Sequence, residues 1–425
     1  MTLPIRVLEL AGLAPVPYAG LLLSQFGADV VRIDRADVEE NPDFLCAGKR
    51  SLRLDLKTRE GREVFLNLAR RADVVIEPFR PGVMEKLGLS PDELIKINPR
   101  LIYARLTGFP RNGKYSKMAG HDVNYVAISG VLSFLGYPDR PPQPPTNLLA
   151  DFAGGSLTVV IGILLALLNR NRTGHGSVVN ANMVDAVSHL GTFARLSKRY
   201  GSAYFSPVNE RGEGLLDGGA PWYGTYETKD GKYMAVGALE PQFYAVLVRL
   251  LGLEDVPSRE ERVNWAAIRT AFERKFKEKT RKEWEDVFDA SDACVTPVKE
   301  LDLGEKVDTV PLVEIKSDHE AQSVWTPPST ADEGGALKPG TGEDEVLQDW
   351  LGWRIGREAQ SVPGKGLQRT VVREACRCGG RCQCGTNARK RRTTKLPQPS
   401  QAGIKQKNLT PNLPYIVRTH TPSQQ

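Results

Sequence analysis

The chain has 425 residues, 40% of them hydrophobic and 25% charged, ordinary values for a globular protein long enough to bury a large core in two or three domains. Its net charge of +6 hides an asymmetry: residues 361–425 hold thirteen Lys/Arg and one acid, Glu374, a net of +12, which leaves residues 1–360 at −6. A weakly acidic body excludes nucleic acid as its partner on electrostatic grounds, and two isolated cysteines in that body, Cys46 and Cys294, exclude a disulfide scaffold and read as intracellular and reduced.

The opening "MTLPIRVLEL" enters a strand at once and carries no cleavable signal pattern. Residues 5–10 read as a strand, 17–27 as a helix stopped by Gly27, and 28–34 as a second strand. Apolar residues recur at helical spacing over 58–72, and strands follow at 73–77 and 100–108. Buried β runs alternating with helices predict a parallel, Rossmann-like sheet covered on both faces. Neither G-x-G-x-x-G after the first strand nor G-x-x-x-x-G-K-[ST] occurs, so a dinucleotide or nucleoside-triphosphate site is unsupported. The longest apolar run, residues 157–168, has twelve residues against the ~20 that span a bilayer, and no membrane insertion is expected.

Beyond residue 200 the pattern changes. Residues 222–239 read as two strands joined at Asp230-Gly231, followed by helices at about 241–251 and 258–278 and a strand and turn over 292–301. The fold class is therefore α/β with a smaller α+β domain: a large domain over 1–195 with a returning segment near 325–355, a small domain over 200–320, and a basic tail over 360–425.

Three titratable residues stand out. His121, one of five histidines, lies in "AGHDVNYVAISG" between Gly120 and Asp122; alone it fits a loop or core histidine as well as a proton carrier. Asp151, in "NLLADFAGG", fits an N-cap for the apolar helix that follows, although Gly154 and Gly155 belong where something approaches the backbone closely. Glu240, before Pro241, fits an exposed acid at a helix start.

Taken in order, "LELAGLAPVPYAGLLLSQFGADVVRIDR", "GKRSLRLDLK", "EPFRPGVMEKLGL", "AGHDVNYVAISGVLS", "NLLADFAGG", "VGALEPQFY" and "DACVTPV" resemble the 2-methylacyl-CoA racemases of the family III CoA-transferase (CaiB/BaiF-type) superfamily, from residue 5 to about 300. The resemblance implies exchange of the α-proton of a 2-methylacyl-CoA thioester, without metal or separate cofactor, by His121 and Asp151, with Glu240 partnering the histidine. It implies backbone N–H donors near Asp151 to Gly155 for the enolate, and a CoA site lined by Arg35, Leu54, Asp55, Leu56, Lys57, Gly120, Asp122, Val123, Asn124 and Tyr125, with Arg80 added. It further implies an interlocked homodimer, each site using the large domain of one chain and the small domain of the other. A CoA-transferase in which Asp151 attacks the thioester, and an acyl-CoA-binding scaffold without chemistry, are the alternatives; His121 together with Glu240 favours the racemase. The family implies a peroxisome or mitochondrion, but the chain ends in "SQQ" rather than an S-K-L-like signal, which leaves the cytoplasm open. In the tail, "ACRCGGRCQCG" and "NARKRR" predict disorder rather than a metal site, because structural zinc sites use C-x₂₋₄-C pairs.

Overall fold

Short runs rich in Val, Ile and Leu are too apolar to leave one face in water, and they form a sheet buried on both sides. The computed structural model describes residues 3–202, 204, 211–301, 312–313 and 337–353. The tail over 360–425, and the stretches 302–311, 314–336 and 354–355 of the expected small domain and returning segment, lie outside the described residues.

The strands are β1 (Arg6–Leu10), β2 (Asp29–Arg35), β3 (Arg50–Leu54), β4 (Val74–Glu77), β5 (Ile102–Thr107) and β6 (Ser177–Asn182). All pair in parallel in the order β3-β2-β1-β4-β5-β6, so the winding reverses between β1 and β4. In such a sheet the carboxyl ends of the strands open a crevice at the reversal. The connecting helices are α1 (Pro15–Gln25), α2 (Arg59–Ala69), α3 (Val83–Lys86), α4 (Pro91–Ile97), α5 (Asp122–Ile128), α6 (Leu157–Thr173), α7 (Met183–Leu190) and α8 (Thr192–Arg199). Alternate strand residues go to opposite faces. Val7, Val30, Ile76 and Ala104 pack with α1, α6 and α7, while Leu8, Val31, Val75 and Tyr103 pack with α2 and α4.

Residues 337–353 return to this second face. Helix α2 and strand β3 there meet Val346, Leu347 and Trp350, all fully buried, and Trp350 donates to Asp29 at 2.7 Å while Glu343 pairs with Arg53 at 3.1 Å. The small sheet consists of β7 (Tyr223–Glu227), β8 (Tyr233–Gly237) and β9 (Val295–Pro297), all antiparallel. It is covered by α9 (Pro241–Leu250), α10 (Trp265–Phe276) and α11 (Arg281–Phe288) around an aromatic core of Trp222, Tyr226, Phe272, Phe276 and Trp284.

Three elements depart from the sequence reading. The helix expected over 258–278 is shorter, because a 3₁₀ turn at Arg262–Asn264 precedes α10. Helix α11 was not anticipated; Thr280 and Glu283 form its capping box. The apolar helix also begins earlier than residue 157, since a nine-residue π-helix, Leu148–Ser156, runs directly into α6. Together Leu148–Thr173 is long and apolar enough to cross a membrane by length and composition, longer than the twelve-residue run suggested. One side packs on α1, β5, β6 and α7, and the other exposes Ile161, Leu165 and Leu168.

Candidate active site

A cavity of about 600 Å³ opens at the carboxyl ends of β1, β2 and β3. Arg35, Leu54, Asp55, Leu56 and Lys57, all expected at the CoA site, line it together with Gly12, Arg32, Asp34 and Phe79. Its floor is a set of buried ion pairs. Arg32 donates to Asp34 at 2.9 Å and also pairs with Asp43, and Ser51 donates to Asp34 at 2.6 Å. Beneath, Lys49 and Glu9 are both fully buried and 2.7 Å apart, and Lys49 also donates to the carbonyl of Pro17. Burial pushes the Glu9 carboxyl up to about 7 against the pull of Lys49. Gly20 makes room for this pair, because a Cβ there would sit 1.8 Å from Glu9 Oε2. At the rim, the exposed Arg35 guanidinium is held by Asp37, with Nε donating at 3.0 Å. Lys57 is exposed and forms no ion pair among the described residues.

The next strand end carries a charged cluster that sequence reasoning missed. Glu77, 1% exposed at the end of β4, accepts from the N–H of Phe79 at 2.6 Å and faces Arg105 at 3.4 Å and Arg111 at 3.6 Å. Burial raises its carboxyl to about 7. Its signal was present: a glutamate directly after the apolar run of Val74, Val75 and Ile76. Phe79 lines the cavity, and the next residue, Arg80, is exposed, donates to the carbonyl of Lys117 at 3.3 Å and acts electrostatically on Tyr125. Arg80 thus lies outside the cavity lining, on the side of the second residue group.

That group gathers at the start of α5. His121 is the N-cap residue and exposed; its imidazole makes no capping hydrogen bond, and its backbone N–H is held by Asn124 Oδ1 at 3.0 Å. Tyr125 donates to the carbonyl of Gly120 and packs edge-on against Phe109, with ring centroids 4.9 Å apart. Bare backbone lets it in: a Cβ on Gly108 would be 2.0 Å from its ring. Val123 is 36% exposed. Asp122, expected to line the CoA site, is instead 4% exposed, and its Oδ2 accepts from the N–H of Ala150 at 2.7 Å and of Asp151 at 2.9 Å.

Asp151 is not the N-cap of the apolar helix but lies inside the π-helical turn, half-buried, accepting from Asn147 at 3.3 Å. Burial pushes its carboxyl up to about 6; Asp122 adds to the shift, and Asn147 and His121 oppose it. The glycines after it permit close packing, since a Cβ on Gly154 would be 2.9 Å from Val187 and one on Gly155 2.9 Å from the carbonyl of Ala150. Of the backbone donors expected near residues 151 to 155, the N–H of Asp151 is given to Asp122. The N–H groups of Asp122 and Val123 in the first turn of α5 have no backbone acceptor among the described residues.

Glu240 is placed elsewhere. It is exposed at the N-cap of α9, and its charge acts on the Cys294 thiol of the small domain. Among the described residues no hydrogen bond or ion pair joins it to His121 or Asp151 of its own chain. A carboxyl with raised proton affinity beside an imidazole is an arrangement suited to moving protons near neutral pH.

The chain is similar to known proteins. The model of CoA-transferase family III matches residues 4–309. Alpha-methylacyl-CoA racemase of Mus musculus is 51% identical over 296 residues, 69% of this chain and 76% of that protein. The protein of the same name from Homo sapiens is 50% identical over the same shares. Among solved structures, Rv3272 from M. tuberculosis superposes with a TM-score of 0.60 at 27% identity, covering 81% of this chain and 97% of that one.

Proposed function

From its membership of CoA-transferase family III, to which this chain belongs, we infer that the protein is an isomerase, a racemase of 2-methylacyl-CoA thioesters. The similarity to the mouse and human racemases supports the reaction, and the observation that carries the assignment of roles is Asp151, within electrostatic reach of His121, with its proton affinity raised to about 6. One base takes the α-proton, the C–H electron pair moves into the thioester carbonyl as an enolate, and the other base delivers a proton to the opposite face. Both transfers balance without a further cofactor, coenzyme A being part of the substrate. The enolate oxygen asks for N–H donors aimed at it, since donors aimed at developing charge lower the barrier. The cavity at the strand ends takes the CoA portion, with Arg35 and Lys57 at its rim for phosphate.

Glu240 partners His121 across a homodimer. Two observations support that reading: Glu240 faces Cys294 rather than the bases of its own chain, and the exposed apolar face of α6, with Ile161 at 57% and Leu168 at 67%, asks for a cover.

The test is incubation of each enantiomer in deuterated water. Label enters Cα from both with the wild-type protein; His121→Ala and Asp151→Asn each abolish racemisation while retaining exchange from opposite enantiomers. CoA transfer to an added carboxylic acid without label would assign the transferase reaction, and binding with neither reaction the scaffold. Mixing His121→Ala and Glu240→Ala chains restores about a quarter of wild-type activity if sites are shared between protomers, because one site in each mixed dimer is intact, and none if each chain is self-sufficient.

A further inference from the structure

Asp122 is a buried carboxylate between the two bases, and proton exchange by itself gives it no task. It follows His121 directly and is 4% exposed. One oxygen accepts from the N–H groups of Ala150 and Asp151, while Oδ1 is buried without a hydrogen-bond partner. Burying a carboxylate with one oxygen unsatisfied is unfavourable, so the arrangement calls for a compensating task. Capping of α5 does not supply it, because the bonded oxygen is turned away from that helix onto Ala150 and Asp151. The π-helix does. An i→i+5 ladder leaves more first-turn N–H groups without an acceptor than an α-helix leaves, and Asp122 supplies an acceptor for two of them, one belonging to Asp151 itself.

We propose that Asp122 is a positioning residue for proton exchange: its carboxylate fixes Asp151 in the π-helical turn and so sets the separation of the two bases. This rests on the exchange reading above. His121 does not depend on the clamp, since its backbone is held by Asn124, so loss of the clamp is one-sided. The charge acts separately from the hydrogen bonds. Asp122 is one of the groups raising the proton affinity of Asp151, alongside burial, with Asn147 and His121 opposing. Tyr125 also senses the charges of both aspartates.

The experiment measures deuterium entry from each enantiomer over a range of pH for the wild-type protein, Asp122→Ala and Asp122→Asn. For Asp122→Ala, exchange on the Asp151 side falls by about 10–100-fold and on the His121 side by less than about threefold, with KM within about twofold. Asp122→Asn retains an oxygen for both N–H groups; its Asp151-side exchange stays within about fivefold, its melting temperature is unchanged, and the acid limb of its pH profile moves to lower pH. Equal loss from both enantiomers or a wild-type rate for Asp122→Ala overturns the proposal. Should the alanine variant fail to fold, Asp122→Glu, which keeps the charge and displaces the clamp, decides: one-sided loss is expected and equal loss from both enantiomers overturns the proposal. Absence of exchange in the wild-type protein overturns the racemase reading instead, whatever the variants do.

Discussion

The two halves of the site are built by opposite means. The cavity at the ends of β1 to β3 rests on paired charges: Lys49 with Glu9, and Arg32 with Asp34 and Asp43, all nearly or fully buried. The base pair rests on backbone: a π-helical turn, a cap residue held by Asn124, and glycines that admit Tyr125 and α7. A charged floor is rigid because no member can lose its partner cheaply. A backbone-built pair leaves its titrating groups half-exposed and therefore able to exchange protons. On the proposed reading the binding half must stay fixed, whereas the reacting half must change its protonation every turnover.

Breaking the floor gives the largest effect. Lys49→Met leaves Glu9 buried without its cation, and unfolding by urea should show a loss of about 3–5 kcal/mol. Glu9→Gln in the same background should recover much of it, because the pair then leaves no lone charge. A Lys49→Met variant as stable as wild type would show that the pair is ornamental. The next effect separates the halves by pH. Asp151 must be ionised to take a proton, so kcat/KM for the enantiomer it deprotonates should fall roughly tenfold per unit below about 6. Stability runs the other way. Glu9 and Glu77 have proton affinities raised from 4.5 to about 7, so the folded protein holds protons that the unfolded chain has lost. Their contribution is fully present below 4.5 and lost as pH rises through about 7. Melting temperatures that rise with the rate between pH 5 and 7 would contradict the division. The smallest effect is at the rim. Asp37→Asn releases Arg35, and KM for an acyl-CoA should drop by about two- to threefold with kcat unchanged, whereas an unaltered KM would remove Arg35 from the phosphate contacts.

How much of this was legible depends on which physical signal each part leaves. Strands β1, β2, β4 and β5 announce themselves because both faces are buried and the runs are continuously apolar. Strand β3, "RSLRL", mixes in two arginines that pair with Asp29 and Glu343, and edge strand β6, "SVVNAN", is half-exposed, so neither reads as a buried run. The hairpin at Asp230-Gly231 was visible because Gly231 takes a positive φ of 71°. His121, Asp151 and Glu240 were reached through the family resemblance, since each residue alone fits an ordinary structural role. The π-helix left no trace: its residues have the same apolar spacing as the α-helix they join. The clamp made by Asp122 was not legible for a related reason, because a sequence shows that an aspartate follows a histidine but not that its carboxylate turns inward onto a distant backbone.

The order of strands in the large sheet usually comes with a resting place for phosphate at the helix following β1, whose free N–H groups point into the crevice. Here that helix opens with Pro15 and Pro17, two residues without an N–H, and the carbonyl of Pro15 is taken by Ser156 at 2.6 Å. The architecture has kept its crevice and sealed its customary anion berth with imino acids. On the proposed reading, phosphate is met by cationic side chains at the end of β2 and after β3, Arg35 and Lys57, rather than by a cradle of amides. A shared winding of strands is therefore a forecast of where a ligand lies, and two prolines are enough to change what holds it.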